Sequence, residues 1–180
     1  MNERIVFPFY FPTTVMVVDD NAAFLMNLSL QLDGNIAYKL FSSPINALIE
    51  VNATGHSASQ ANEFFSRPTD SDDLSFSRQL IDLNLDEIHR LVHDERRFAE
   101  VSVIVVDYAM PEMNGLDFLK NLKNPNIKRV LLTGIADEKI AVKAFNEGLI
   151  DRFIMKNDKS ALTSLNALII ELQNQYFEKA

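Results

Sequence analysis

Residues 101–115 read VSVIVVDYAMPEMNG, and this stretch decides the fold. A short apolar run such as VSVIVV is typical of a strand that is buried on both faces of a parallel sheet. The run ends at Asp107, and the proline and glycine that follow indicate a loop. The stretch therefore predicts a central strand that places one carboxylate at the edge of a sheet.

Further strands and helices alternate on both sides of this stretch. Apolar runs predict strands at residues 15–18, 37–41, 130–132 and 153–155. Between them apolar side chains recur at helical spacing, and a last helix is predicted over 160–177. Ser43 before Pro44, and Asp137, are predicted to begin helices, whereas Gly34 and Gly148 are predicted to end them. This alternation predicts an α/β fold, a parallel sheet with helices on both faces.

Composition limits the class of protein. The chain has 180 residues, 47% of them hydrophobic and 23% charged, which is enough apolar material for one core. Without cysteine, disulfide frameworks, zinc ribbons and thiolate catalysis are excluded, and a reducing compartment is favoured. A net charge of −8 argues against direct binding of nucleic acid. We expect one domain over residues 1–180.

The apolar stretch from Ile5 to Val18 does not have the pattern expected of a targeting segment. Pro8 and Pro12 interrupt it, and Asp19 and Asp20 follow where a signal peptide would need small residues. No segment reaches the roughly 18 apolar residues that a membrane helix requires. We therefore expect a cytoplasmic protein that does not bind membranes.

Two regions fall outside the alternating pattern. Asp107 lies 87 positions after Asp20, although a βαβ unit needs only about 30 residues or slightly more. We predict an insertion over residues 52–98, first a polar loop to Asp73 and then helical. Residues 1–13 form an N-terminal extension with four aromatic residues, which we expect to pack on the domain or the insertion, with dimerisation as the alternative.

All three histidines lie in the predicted insertion. His89 and His93 have the i, i+4 spacing that can chelate a metal ion, but no third ligand is evident nearby. A solvated helix face is therefore the simpler interpretation.

Polar residues follow the predicted strands where each strand ends. They are Asp19 and Asp20, Asp107, Thr133 and Lys156. Ligands of open parallel sheets bind at this edge. Clustered carboxylates repel one another unless a cation joins them, and oxygen ligands suit Mg²⁺. A lysine and a hydroxyl can hold phosphoryl oxygens, which leaves Asp107 as the nucleophile. Each residue alone could be a cap or a solvated charge, but their joint placement favours a site.

These residues resemble the response-regulator receiver domain of two-component signalling. The motifs are VVDDN (17–21), DYAMPEMNG (107–115), LTG (132–134) and FIMK (153–156), and the resemblance covers residues 14–51 and 101–179. The pattern D-x-x-M-P-x-M-x-G is far more specific than an acidic pair. The resemblance implies a flavodoxin-like five-stranded sheet in the order 2-1-3-4-5.

The resemblance also implies a function. Asp107 would accept a phosphoryl group from a phosphohistidine on a sensor histidine kinase or phosphotransfer protein, the domain catalysing its own phosphorylation and dephosphorylation. Asp19 and Asp20 would hold Mg²⁺, together with the Asp107 side chain and the backbone carbonyl of Ala109. Lys156 and Thr133 would contact the phosphoryl oxygens.

Phosphorylation of this family changes a surface. By resemblance, Thr133 would move toward the phosphate and Phe153 would swing inward, which repacks the face formed by the fourth helix, the fifth strand of the sheet and the fifth helix. One departure concerns the loop after Lys156. The family usually has a cis proline there, whereas Asn157 makes a cis bond costly.

Two alternative functions accompany this interpretation. A receiver-fold module could dock partners or dimerise without phosphorylation, although the intact site residues disfavour it. A phosphatase of the haloacid-dehalogenase type would need an acid two residues after its nucleophile, where Ala109 stands. No output domain is evident, so a stand-alone receiver and a fragment of a longer regulator both stay open, as do the kinase and the signal.

Overall fold

The computed structural model describes residues 12–54, 98–134, 137–158 and 161–179, together with the backbone of two short strands. In chain order the strands are β1 (Thr14–Val18), β2 (Ala37–Phe41), β3 (Phe65–Ser66), β4 (Asp82–Leu83), β5 (Val101–Asp107), β6 (Lys128–Thr133) and β7 (Arg152–Met155). The described helices are α1 (Ala22–Ser29), α2 (Pro44–Thr54), α3 (Gly115–Lys120), α4 (Glu138–Asn146) and α5 (Ala161–Lys179).

Five strands form one parallel sheet in the order β2-β1-β5-β6-β7. This order confirms the predicted doubly wound α/β fold. Every residue of β1 and β5 is buried. Because successive side chains of a strand point to opposite faces, Ile104 and Val106 enter one apolar cluster while Val103 and Val105 enter another.

Helices cover both faces of the sheet, as predicted. On one face the apolar cluster includes side chains of α2, α3 and α4, among them Ala47, Phe118 and Ala141. On the other face it includes side chains of α1 and α5, among them Leu28 and Ile169. Burying a large apolar side chain stabilises the fold by about 1.5–3 kcal/mol. Packing of helices on both faces therefore holds the strands of the sheet in place.

Of the two glycines predicted to end helices, one prediction is confirmed and one is wrong. Gly148 has a φ of 70° and follows Glu147, the C-cap of α4, as a helix-ending glycine should. Gly34, in contrast, lies beyond the end of α1, whose C-cap is Leu30. The chain turns earlier because the backbone N–H groups of Gln31 and Leu32 both donate to the carbonyl of Leu28.

The predicted helix starts are also found. The hydroxyl of Ser43 accepts a hydrogen bond from the backbone N–H of Asn46 at 3.5 Å, so it caps α2. Asp137 occupies the N-cap position of α4, but its side chain makes no capping hydrogen bond. Two further caps were not predicted from the sequence, Asn21 of α1 and Asn114 of α3.

The region between α2 and β5 departs from the prediction at its described positions. Helix α2 continues to Thr54, so the inserted region begins later than residue 52. Strand β4 pairs with β3 in antiparallel fashion, so the helical prediction is wrong at Asp82 and Leu83, where long-range pairing overrides local periodicity. The four aromatic residues of the N-terminal extension and the three histidines lie outside the described residues. None of the described helices is both long and apolar enough to span a membrane.

Candidate functional site

The register of the central strands brings two aspartates together. Val18 of β1 pairs with Val106 of β5, so the next residues, Asp19 and Asp107, are neighbours across the two strands. The backbone N–H of Asp19 also donates to the carbonyl of Phe41 at 3.0 Å, which extends the β1–β2 ladder by one residue. Both carboxylates therefore stand on ordered strand backbone rather than on a loose loop.

The neighbouring strands bring the other predicted residues to the same edge. Thr133 of β6 pairs with Met155 of β7, and the backbone N–H of Lys156 donates to the carbonyl of Thr133 at 3.0 Å. The backbone N–H of Tyr108 donates to the carbonyl of Leu132 at 2.9 Å. The structure thus places all five polar residues singled out by the sequence at the carboxyl edge of the sheet.

Three carboxylates form a cluster at this edge. Oxygen atoms of Asp19, Asp20 and Asp107 lie within 4.8 Å of one another. Asp19 is fully buried and Asp107 is 5% exposed, whereas Asp20 is exposed to solvent. Such a group of oxygen ligands, open on one side, suits Mg²⁺, which retains several water molecules.

Lys156 joins the two buried carboxylates. Its Nζ lies 2.6 Å from Oδ2 of Asp19 and 2.8 Å from Oδ1 of Asp107. Burial alone would lower the pKa of Lys156, but hydrogen bonds and charges from Asp107 and Asp19 outweigh burial and raise this pKa. Lys156 is therefore a cation at neutral pH. It can balance negative charge at the site, and it cannot act as the nucleophile.

The environment of Asp19 favours a cation beside it. Burial raises the pKa of Asp19, and the hydrogen bonds from Lys156 and from the backbone N–H of Asn21 only partly oppose this effect. Apart from the ion contact with Lys156, the buried atom Oδ2 of Asp19 has no hydrogen-bond partner within the described part of the chain. An oxygen with this free capacity fits a metal ligand.

The hydroxyl of Thr133 is bound to a backbone carbonyl. Thr133 is fully buried, and its Oγ1 donates to the backbone carbonyl of Gly134 at 3.1 Å. Ala109 is exposed in the loop after Asp107. The roles of both residues stay predictions, since neither contacts the cluster through a described hydrogen bond.

Comparison with known proteins identifies the fold family. Residues 80–166 match the family described as response regulator receiver domain. The structure of the response regulator LqsR of Legionella pneumophila is 40% identical, with a TM-score of 0.70 over 94% of this chain and 46% of LqsR. This chain contains a response-regulator receiver domain.

Two further proteins are similar to this chain. A protein-glutamate methylesterase/protein-glutamine glutaminase of Treponema denticola is 43% identical over 70 residues, which cover 37% of this chain and 18% of that protein. A CheY-like receiver domain of Methanospirillum hungatei has a TM-score of 0.60 at 17% identity, covering 94% of this chain and all of that one, and shows the fold alone. The chain spans less than half the length of LqsR and of the Treponema protein.

Phe153 of the receiver domain lies on β7, as predicted. Its ring is half-buried and meets the ring of Phe145 on α4 edge to face, with the ring centroids 6.4 Å apart. No peptide bond of the described residues is cis, in keeping with Asn157 after Lys156. The ring therefore links β7 to α4, and its movement stays a prediction.

Gly115 ends the motif DYAMPEMNG, and its role was not predicted from the sequence. Its backbone N–H donates to the carbonyl of Tyr108 at 3.0 Å. A Cβ at this position would overlap the carbonyl oxygen of Asp107 and lie 3.0 Å from its carbonyl carbon. Glycine forms helix poorly, so a glycine at the start of a helix is a sequence signal that could have been used. It indicates that two backbone segments approach each other closely.

Phe24 was also missed, because its helical spacing with Leu25 and Leu28 predicts only a core position. Its ring is in fact beside the site, with the centroid 4.8 Å from Nζ of Lys156. Sequence spacing carried no signal for this contact, which joins α1 to the end of β7.

Proposed function

We propose that this receiver domain is a phosphoacceptor switch of two-component signalling. Asp107 takes a phosphoryl group from a phosphohistidine of a sensor histidine kinase or phosphotransfer protein. The observation that carries the proposal is the position of Asp107 at the open edge of the sheet, 2.8 Å from the Lys156 ammonium and within the carboxylate cluster. We place the exchange in the cytoplasm, in keeping with a chain that has no cysteine.

The transfer step follows from the charges at the site. A carboxylate oxygen of Asp107 attacks phosphorus, and a P–O bond forms while the P–N bond to the donor imidazole breaks. The bonding electron pair leaves with the imidazole, which takes a proton. Lys156 stands where its ammonium can contact the phosphoryl oxygens and balance their charge. Hydrolysis of the acyl phosphate later restores Asp107.

Asp19, Asp20 and Asp107 would hold Mg²⁺ together with the carbonyl of Ala109. The bound ion supplies charge neutralisation for phosphoryl oxygens at this edge. The burial of Asp19, whose Oδ2 has only the ion contact with Lys156, and the exposure of Asp20 support this assignment, since one fixed ligand and one solvated ligand suit a partly hydrated ion.

The output of the switch is a change of surface. A phosphoryl dianion on Asp107 would draw the hydroxyl of Thr133 away from the carbonyl of Gly134, because a charged acceptor binds a hydroxyl more strongly than a neutral one. Phe153 would then move into the vacated space and separate from Phe145. The face of α4, β7 and α5 would repack and meet a downstream partner or a second copy of the domain.

The decisive test is the mass of the intact protein after incubation with Mg²⁺ and acetyl phosphate. We expect one phosphoryl adduct on the wild-type chain and none on Asp107→Asn or in the presence of a chelator. The matched control is Asp151→Asn, at the opposite edge of the sheet, where an amide oxygen can still accept from the backbone N–H of Arg129.

The control should be labelled as the wild type is. Equal labelling of Asp107→Asn would move the acceptor elsewhere. A wild-type chain that binds Mg²⁺ and gains no phosphoryl group would overturn the proposal and favour a module that docks partners or dimerises without phosphorylation.

A further inference from the structure

Lys156 has a third close neighbour besides its two carboxylates. The centroid of the Phe24 ring lies 4.8 Å from Nζ, within the roughly 6 Å at which an aromatic ring attracts a cation. The side chain of Lys156 is 23% exposed, so the contact is partly shielded from water. The ammonium is thus held by two charged groups and one neutral group.

Phe24 is fixed in this position from two sides. Its backbone N–H donates to Oδ1 of Asn21 at 3.1 Å, and the backbone N–H of Asn21 donates to Oδ1 of Asp19 at 2.9 Å. Its ring packs against the apolar cluster between α1, α5 and the sheet. Lys156 in turn contacts Asp19, so these contacts form a closed ring. The ring consists of Asp19, Asn21, Phe24 and Lys156.

Lys156 and Mg²⁺ would share one carboxylate. Oδ2 of Asp19 contacts Lys156, and in the proposed function the carboxylate of Asp19 also holds Mg²⁺. Two cations at one carboxylate repel each other, so binding of the metal would weaken the contact of Lys156 with Asp19. The face of an aromatic ring attracts an ammonium but is a poor ligand for a hard divalent ion. Mg²⁺ therefore does not compete for Phe24.

We propose that Phe24 is a positioning residue for Lys156, which keeps the ammonium directed at Asp107 while Asp19 is engaged with Mg²⁺. The inference rests on the proposed function and adds to it a residue outside the quoted motifs. Phe24 does not touch the reacting atoms. It acts through Lys156, because it limits the positions that the ammonium can occupy when Asp19 binds Mg²⁺.

The first test compares side chains at position 24. Phe24→Leu keeps an apolar side chain but removes the ring, and we expect phosphorylation by acetyl phosphate at saturating Mg²⁺ to slow by about three- to tenfold. Phe24→Tyr keeps the ring face and should remain within about twofold of the wild type. The Mg²⁺ concentration that gives half-maximal rate should be nearly unchanged in both variants, because Phe24 does not bind the metal.

A graded series separates ring electrostatics from packing. Mono-, di- and trifluorophenylalanine placed at position 24 weaken the negative ring face stepwise while nearly preserving ring shape. We expect the phosphorylation rate to fall with each added fluorine. The same analogues at Phe177, near the end of α5 and against Tyr176, serve as the control and should leave the rate unchanged.

The outcomes are distinct. A wild-type chain that is not phosphorylated contradicts the proposed function itself. A labelled wild type with a flat rate across the fluorinated series overturns the positioning role of Phe24, whatever Phe24→Leu does to the urea midpoint of unfolding. A stepwise fall at position 24, absent at position 177, supports it.

Discussion

At the scale of single residues, Gly115 is the position where backbone packing controls the acceptor. A Cβ there would overlap the carbonyl oxygen of Asp107 and lie 3.1 Å from Cδ1 of Leu131. Backbone atoms held in a central strand cannot yield as a flexible side chain can. We therefore expect Gly115→Ala to lower the free energy of unfolding by about 1–3 kcal/mol, measured by urea denaturation, and to slow phosphorylation of Asp107.

Gly34 provides the matched control for this substitution. Nothing lies within 4 Å of a Cβ built at Gly34, and its φ is not in the left-handed region. Gly34→Ala should leave stability unchanged or raise it by about 0.4–1 kcal/mol, since alanine restricts the unfolded chain. If Gly115→Ala and Gly34→Ala lowered the free energy of unfolding equally, the close backbone approach at Gly115 would have no effect of its own on stability.

At the scale of elements, short helix α3 depends on its cap. Oδ1 of Asn114 accepts from the backbone N–H of Asp117 at 2.9 Å, and six residues give the helix few hydrogen bonds of its own. Asn114→Ala should lower the free energy of unfolding by about 1 kcal/mol. Asp137→Ala is the comparison, because Asp137 caps α4 without a side-chain hydrogen bond and should change the urea midpoint little. Similar losses would contradict the role assigned to the Asn114 amide.

The elements also show what the sequence could predict. The bounds of strand β5 were predicted within one residue, because a strand that is buried on both faces has an uninterrupted apolar sequence. The polar residues that follow parallel strands lie at the same edge of the sheet, so their grouping was also predicted. The end of α1, the β3–β4 pair and the contact of Phe24 with Lys156 were not predicted. The β3–β4 pair and the Phe24 contact depend on partners distant in sequence, and the end of α1 depends on backbone hydrogen bonds to Leu28. The spacing of apolar side chains encodes neither kind of contact.

At the scale of the whole molecule, α5 is tied to the amino edge of the sheet by buried polar contacts. The amide of Gln173 donates to the backbone carbonyl of Thr13 at 3.2 Å, and Thr13 bonds the hydroxyl of Ser102. Nearby, the hydroxyl of Tyr176 donates to the buried carboxyl of Glu100. Buried hydrogen bonds thus hold α5 to the amino edge of the sheet, while the residues proposed to move lie at the carboxyl edge.

Tyr176 makes the stability of this attachment of α5 depend on pH. Burial and the neighbouring Glu100 raise the pKa of Tyr176 far above its usual value near 10, so the folded chain keeps a proton that the unfolded chain loses. The stability from this group is complete below about pH 10 and is lost as the pH rises further. Tyr176→Phe should therefore cost about 1–3 kcal/mol at neutral pH in urea unfolding, because a buried acceptor loses its donor.

Above about pH 10 the stability difference between the wild type and Tyr176→Phe should narrow, because only the wild type has this proton to lose on unfolding. Tyr38→Phe, on the exposed part of edge strand β2, should show no difference at any pH. A difference that stays constant to the alkaline limit would mean that Tyr176 ionises alike in both states. The contact with Glu100 would then contribute packing alone, and the attachment of α5 would depend on Gln173 and its partners.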